Sequence, residues 1–261
     1  MTTKNKAKTT LASSGKTLPT SEPLSLANKE LLIDVDSLSV RFGAETVIDR
    51  ISFCIHKGEF IGLIGPNGAG KTTLLKSVLG LLQPTSGKVK KGSATIGYIP
   101  QRGAQYNALV PISVLEVVRL GAGGSKETAM RALQDVHMAS VAHKRFNELS
   151  GGQQQRIFIA KALAGNTDIL MLDEPATGID ERSQAEFYAL LQSLHQKGIT
   201  IVMVSHEVDT VLTLVTRVIC INHAILYDGR PQHFEADEYM PSYYKARHLK
   251  LHHHHQGAGH A

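Results

Sequence analysis

No apolar run in this chain approaches the ~18 residues a helix needs to cross a bilayer. The most apolar late segment, Val211 to Ile221, is short and carries Arg217. Work at a membrane would therefore require other chains to supply the spanning part. Cysteine is scarce: Cys54 and Cys220 stand far apart in strand-like apolar runs, and neither belongs to a C-x-x-C pair. That leaves no disulfide framework to argue for and points to a reduced, cytosolic setting. Residues 1–29 contain no arginine and no continuous apolar core, which argues against a transit peptide and a secretory signal. Sustained heptads and internal repeats are also absent, so neither a long coiled coil nor a tandem duplication is expected.

What is present is the composition of a soluble globular protein, 42% hydrophobic and 20% charged. The chain is long enough to bury a full core as one large domain or a domain with a lobe. Its net charge of +5 is partly a terminal effect. Lysines 4, 6, 8, 16 and 29 face a single acid, Glu22, in a stretch otherwise rich in Ser, Thr and Ala. Residues 1–29 are expected to be a disordered, solvated basic tail, and no nucleic-acid partner is expected.

The stretch Gly65-Pro66-Asn67-Gly68-Ala69-Gly70-Lys71-Thr72-Thr73 fits G-x-x-x-x-G-K-[ST]. A buried-strand run, Phe60–Ile64, precedes it. Leu74, Leu75, Val78, Leu79 and Leu82 follow at helical spacing until Pro84-Thr-Ser-Gly87 breaks the pattern. A strand, a glycine turn and a helix start are what a phosphate cradle needs. Glycines let backbone N–H groups converge on phosphate, and the helix adds the positive end of its dipole. Lys71 is placed to reach the β- and γ-phosphates and Thr72 to offer its hydroxyl to Mg²⁺. The chain binds a nucleotide on this reading.

Around the loop the pattern is that of an α/β core. Leu31, Ile33 and Val35 alternate, then Leu38 and Val40 continue on the other parity, which predicts a strand with a break. Ile51, Phe53 and Ile55 alternate again, giving an antiparallel layer ahead of the loop. Strand signals vanish from about 102 to 158, where a helical lobe is expected with Ser125 as an N-cap. Ile169–Leu172 and Ile199–Val204 are compact apolar strands flanking an amphipathic helix that Gly198 ends, the order of a parallel sheet. Val218–Ile221 and Ala224–Tyr227 form a late strand pair.

Asp173 and Glu174 close the first of those parallel strands, where open α/β sheets bind ligands. Asp173 is placed to hold Mg²⁺ through water, and Glu174 to orient and deprotonate an attacking water. Ser150, Gly151, Gly152 and Gln153 make a second anion-recognising helix start, with Ser150 as its cap. One triphosphate seldom needs two such starts, so this segment is expected to complete the site of a partner copy.

Taken together, the phosphate loop, Gln101 after Thr95–Ile99, Leu149-Ser-Gly-Gly-Gln153, Asp173-Glu174 and His206 after Val204-Ser205 resemble the nucleotide-binding subunit of ATP-binding-cassette (ABC) transporters. The likeness spans roughly residues 31–234, with five motifs in order. It implies a P-loop ABC-type cassette: a RecA-like parallel-sheet core, an antiparallel β layer and an inserted helical subdomain. It implies a cassette over 30–234 flanked by the tails 1–29 and 235–261. The implied partners are a second copy in a head-to-tail ATP sandwich, integral membrane permease subunits and an extracytoplasmic metal-binding protein. The implied place is the cytoplasmic face of a bacterial inner membrane. By resemblance Phe42 stacks on adenine, although it also reads as a core or strand-end residue. Gln101 links the Mg²⁺–water site to the membrane subunit, Asp180 lies in a loop coupling the two sites, and His206 contacts the γ-phosphate.

Segments such as Leu-Ser-Gly-Gly-Gln-Gln-Gln-Arg-Ile-Phe-Ile-Ala and Met-Val-Ser-His are similar to the subfamily that imports zinc or manganese. That makes the expected function an ATPase subunit of a metal-ion importer, zinc favoured. Import of manganese or iron chelates, and a soluble ATPase such as one of iron–sulfur assembly, remain open readings. The C-terminal histidines, among them His252, His253, His254 and His255, are good Zn²⁺ ligands. They read as a regulatory zinc site, a purification remnant or an inert polar tail.

Overall fold

The computed structural model describes residues 29–101 and 112–240. Among these described residues, nine strands form two sheets. A three-stranded antiparallel sheet has the order β2–β1–β4, built from β1 (Leu31–Phe42), β2 (Glu45–His56) and β4 (Ser86–Lys91). A six-stranded sheet has the order β5–β6–β7–β3–β8–β9. Its members are β3 (Phe60–Ile64), β5 (Ile96–Ile99), β6 (Ile169–Asp173), β7 (Thr200–Val204), β8 (Arg217–Asn222) and β9 (Ala224–Gly229). All of its pairings are parallel except β8 with β9.

The parity change in β1 is a register shift between Val35 and Leu38, with Ser37 at φ 51°. The strand continues through this bulge, so Val35 and Leu38 are both buried. β4 has no apolar periodicity to announce it: Ser-Gly-Lys-Val-Lys-Lys is an edge strand whose only sheet partner among the described residues is β1. Lysines on such an edge discourage pairing with other chains.

Helix α1 (Lys71–Leu79) stops at Gly80, which adopts φ 81°, rather than running on to Pro84. Gly80 and Leu81 donate to Ser77 O and Lys76 O, and this tight ending needs the left-handed conformation that glycine supplies. The helix packs Leu74, Leu75 and Val78 between the two sheets.

Parallel strands buried on both faces distribute alternate side chains to two cores. Phe60, Leu170, Ile201 and Val218 point to one, while Ile61, Met171, Val202 and Ile219 point to the other. The first core lies under the helices. These are α2 (Val114–Arg119), α3 (Lys126–Asp135) and α4 (Gly151–Leu163), then α5 (Glu181–Gln196) and α6 (Val208–Leu214). Ser113 caps α2 in a capping box with Glu116, and Ser125 caps α3 by accepting from Thr128 N at 3.2 Å. A short α7 (Ala236–Tyr239) ends the described chain, with Tyr227, Phe234 and Tyr239 in mutual ring contact.

At the strand ends remote from the phosphate loop, Arg217 is 6% exposed. Its guanidinium donates bidentately to Asp228 at 2.6 and 2.7 Å, to Cys54 O at 2.9 Å and to Glu59 Oε1 at 3.2 Å. Burial opposes its charge, but Asp228 and Glu59 hold its ionisation above the ordinary arginine value. The network bolts β2 and its turn to β8 and β9.

Candidate nucleotide-hydrolysis site

The phosphate loop lies between β3 and α1 and is held by close approach of backbone. A Cβ on Gly65, at φ 150°, would sit 2.1 Å from Ile221 O, and one on Gly70, at φ 91°, would sit 2.8 Å from Val47 O. Only glycine fits either position. The turn between β8 and β9 braces the loop from outside: His223 N donates to Ala69 O at 3.1 Å, and its ring nitrogen Nδ1 lies 3.1 Å from Val47 O. Gly70 is the N-cap of α1 and offers no side chain to the first turn, so the helix start presents bare N–H groups.

An open cleft of about 540 Å³ lies over this loop, lined by Val47, Asn67 to Thr73, Gln101, Glu174 and His206. Lys71 Nζ donates to Gly65 O and Pro66 O, both at 2.9 Å. Burial pulls its ammonium below the usual lysine value, with Glu174 and Asp173 opposing. Thr72 Oγ1 donates to Asp173 Oδ1 at 3.0 Å. Asp173 is 1% exposed; burial raises its carboxyl above the ordinary value, and the Thr72 hydrogen bond opposes that. A hydroxyl and a carboxylate so placed are the hard oxygen donors that Mg²⁺ takes, so the pair fits that ion.

Glu174 is the first residue beyond β6 and sits at φ 47°, a strained conformation for a side chain of its size. Its backbone N donates to Val204 O at 3.0 Å, which joins the ends of β6 and β7. Its Oε2 accepts from Gln101 Nε2 at 2.6 Å and from Thr177 Oγ1 at 3.4 Å, and lies 3.7 Å from His206 Nδ1. Thus Gln101 and His206, brought from two other loops, approach one oxygen of Glu174. A carboxylate there can accept a proton from water, and the flanking groups can orient it.

The remaining sequence candidates lie elsewhere. Phe42 is 53% exposed at the tip of the β1–β2 hairpin and is not among the cleft-lining residues. Ser150 caps α4, accepting from Gln153 N at 3.3 Å while Gln153 Oε1 accepts from Ser150 N at 3.1 Å. None of Ser150, Gly151, Gly152 and Gln153 lines the cleft. The two glycines differ: a Cβ on Gly151 meets nothing within 4 Å, whereas one on Gly152 would sit 2.9 Å from Ser183 Cβ. Gly152 therefore serves the packing of α4 on α5, and Gly151 is the open position. Asp180 caps α5, with Oδ1 accepting from Ser183 N at 3.0 Å. Residues 102–111 and the histidines of 248–260 lie outside the described residues. Among the described residues no cluster of three or more His, Cys, Asp or Glu side chains could hold a metal ion.

Val47 and His223 are site-supporting residues that sequence reasoning missed. Val47 looks like any strand residue; for His223 the only signal is its place in a predicted strand-to-strand turn.

A doubly wound sheet, a glycine loop feeding a helix from β3 and an acidic pair at the end of β6, with β7 between the two strands, define a P-loop nucleotide hydrolase. Within that class, the family model for ABC transporters matches residues 48–177. Similar curated relatives include the zinc import ATP-binding protein ZnuC of Pseudomonas putida, 39% identical over 88% of this chain and 91% of the relative. ZnuC of Vibrio vulnificus is 40% identical over 77% of each chain. Among solved structures, an ABC transporter described as of metal-chelate type, in an inward-facing conformation, aligns with TM-score 0.75 and 27% identity. That match covers 83% of this chain and 90% of the other. A dimeric bacterial ABC transporter cassette aligns with TM-score 0.64 and 26% identity over 78% of this chain and all of the other. The chain belongs to the ABC transporter family as an ATP-hydrolysing cassette using ATP and Mg²⁺.

Proposed function

We propose that this chain is the ATPase subunit of a zinc importer, working as a head-to-tail homodimer on separate permease subunits. An extracytoplasmic metal-binding protein would deliver the ion. The observation that carries the ATPase reading is the approach of Gln101 and His206 to one oxygen of Glu174, in the cleft that Lys71 and Thr72 also line. The name shared by the curated relatives supports zinc as the cargo. Among the described residues no helix is long and apolar enough to cross a membrane. As the ATPase of an importer, the cassette would sit peripherally on the cytoplasmic face, a reading supported by the likeness to ZnuC.

In this reading Gly65 to Thr73 cradle the phosphates of ATP, Thr72 and Asp173 hold Mg²⁺, and Glu174 accepts the proton of the attacking water. Mg²⁺ supplies charge neutralisation at the phosphates when bound. Gln101 and His206 position Glu174 and the γ-phosphate, and Phe42 stacks on adenine. The separation of Ser150 to Gln153 from the cleft supports their service to a partner's ATP. The unit is taken as 30–234, with a helical subdomain near 102–158, and the tail histidines 252–255 as a zinc-responsive element.

Metal uptake decides the matter. Cells lacking this chain should lose high-affinity zinc accumulation and regain it with the wild type but not with Glu174→Gln. Unchanged zinc with loss of manganese or iron would transfer the assignment to those ions, which the likeness to the metal-chelate transporter keeps as the second reading. No change in any metal would end the importer reading. Deleting residues 248–261 should alter zinc sensitivity and spare basal ATPase.

A further inference from the structure

Glu207 follows His206 and stands at the N-terminal boundary of α6, yet its carboxylate makes no cap hydrogen bond there. It reaches across to α5 instead. Tyr188 Oη donates to Oε2 at 3.2 Å and Gln184 Nε2 donates to Oε1 at 3.4 Å. The same Gln184 nitrogen donates to Ala176 O at 3.2 Å, two residues beyond Glu174. Gln184 and Tyr188 are four residues apart and so share one face of α5. One helix face thus grips both the loop after β6 and the loop after β7.

The backbone around His206 is fixed from the other side. Glu207 N donates to Ser205 Oγ at 3.0 Å, and the buried Ser205 donates its N–H to Leu63 O at 3.3 Å. His206 is therefore held between two anchored neighbours, with Nδ1 3.7 Å from Glu174 Oε2. The Tyr188 residue is 7% exposed, and burial pushes its ionisation well above the ordinary tyrosine value, so it remains a donor at any working pH. A hydrogen bond from a buried phenol to a carboxylate is of the stronger, charge-assisted kind.

We propose that Gln184, Tyr188 and Glu207 are positioning residues for hydrolysis, setting the His206 ring and the Glu174 carboxylate relative to each other. The proposal rests on the reading of Glu174 and His206 as working groups. None of the three touches the cleft; each acts through the loops it holds. Loss of one such hydrogen bond lets the two loops drift while the phosphate loop, braced by the β8–β9 turn, stays in place. Turnover should therefore fall without loss of ATP affinity.

The test uses the purified full chain, measuring kcat and KM for MgATP together with melting temperature. Tyr188→Phe and Glu207→Ala should each lower kcat by about fivefold to tenfold, with KM within about twofold of wild type. Glu207→Gln should recover most of that loss, because its amide can accept from Gln184 and donate to the Tyr188 oxygen. Added to His206→Ala, Tyr188→Phe should cause no further loss, since its effect passes through His206. Full kcat in Tyr188→Phe, or an equal further loss in the His206→Ala background, overturns the proposal. Full turnover in His206→Ala alone would sink the underlying reading of the site, and this proposal with it.

Discussion

Arg217→Met should weaken the fold heavily while leaving the nucleotide site intact. Methionine keeps much of the aliphatic bulk, so the loss is chiefly electrostatic. Asp228, with 27% of its side chain exposed, can turn to water, but Glu59 is 2% exposed and would keep an uncompensated charge. Removing one partner of such a buried network costs about 3–5 kcal/mol. At roughly 2–4 °C per kcal/mol for a domain of this size, melting should fall by about 6–20 °C. Circular dichroism melts at neutral pH read this directly. Adding Glu59→Gln should restore a good part of the loss, because the amide oxygen can still accept from His56 N, now bonded at 2.7 Å. A fall below about 3 °C, against the expected cost of a stranded buried charge, would refute the reasoning. So would a double variant no more stable than the single.

The other predictions concern turnover. Glu174→Gln should retain ATP, accumulate as a dimer and hydrolyse about 10²–10⁴-fold more slowly, measured by phosphate release and gel filtration; wild-type turnover would remove Glu174 from the mechanism. Because burial raises the Asp173 carboxyl, acidification protonates it before an ordinary aspartate. The Mg²⁺ concentration for half-maximal ATPase should then rise on acidification sooner than an ordinary aspartate would make it; a requirement that never rises as pH is lowered would contradict Asp173 as a ligand. Ser150→Ala should impair hydrolysis but leave ATP affinity of the monomer unchanged in equilibrium binding. Lower monomer affinity would show that Ser150 serves its own chain's nucleotide.

The elements that sequence made legible are those with one dominant physical signal. Gly65 to Thr73 carry spacing that only a phosphate loop needs, and the parity break after Val35 marks a real bulge. Ser150 and Ser125 announce themselves as caps because the hydroxyl and the N3 backbone N–H that donates to it are neighbours in sequence. What escaped depends on residues far apart along the chain. β4 is exposed and lysine-rich, and becomes a strand only because β1 is there to pair with it. The end of α1 at Gly80 was masked by apolar residues that continue to Leu82. That Gly152 also packs against Ser183 of α5 has no local signal, because the two residues are far apart along the chain. Gln184, Tyr188 and Glu207 belong to no motif, since nothing local shows that a helix face and a loop some twenty residues later will meet.

The path of the backbone through the two sheets has its own consequence. It leaves the antiparallel sheet for β3, returns to it with β4, and leaves again for β5. This lacing makes the two layers a single cooperative unit, not a core with a detachable cover. Excising everything before Phe60 would orphan β4 and strip one wall from α1, so the parallel sheet would not survive alone as a minimal nucleotide binder. Amide protons of β1 and of the phosphate-binding helix should accordingly exchange together, in one opening event.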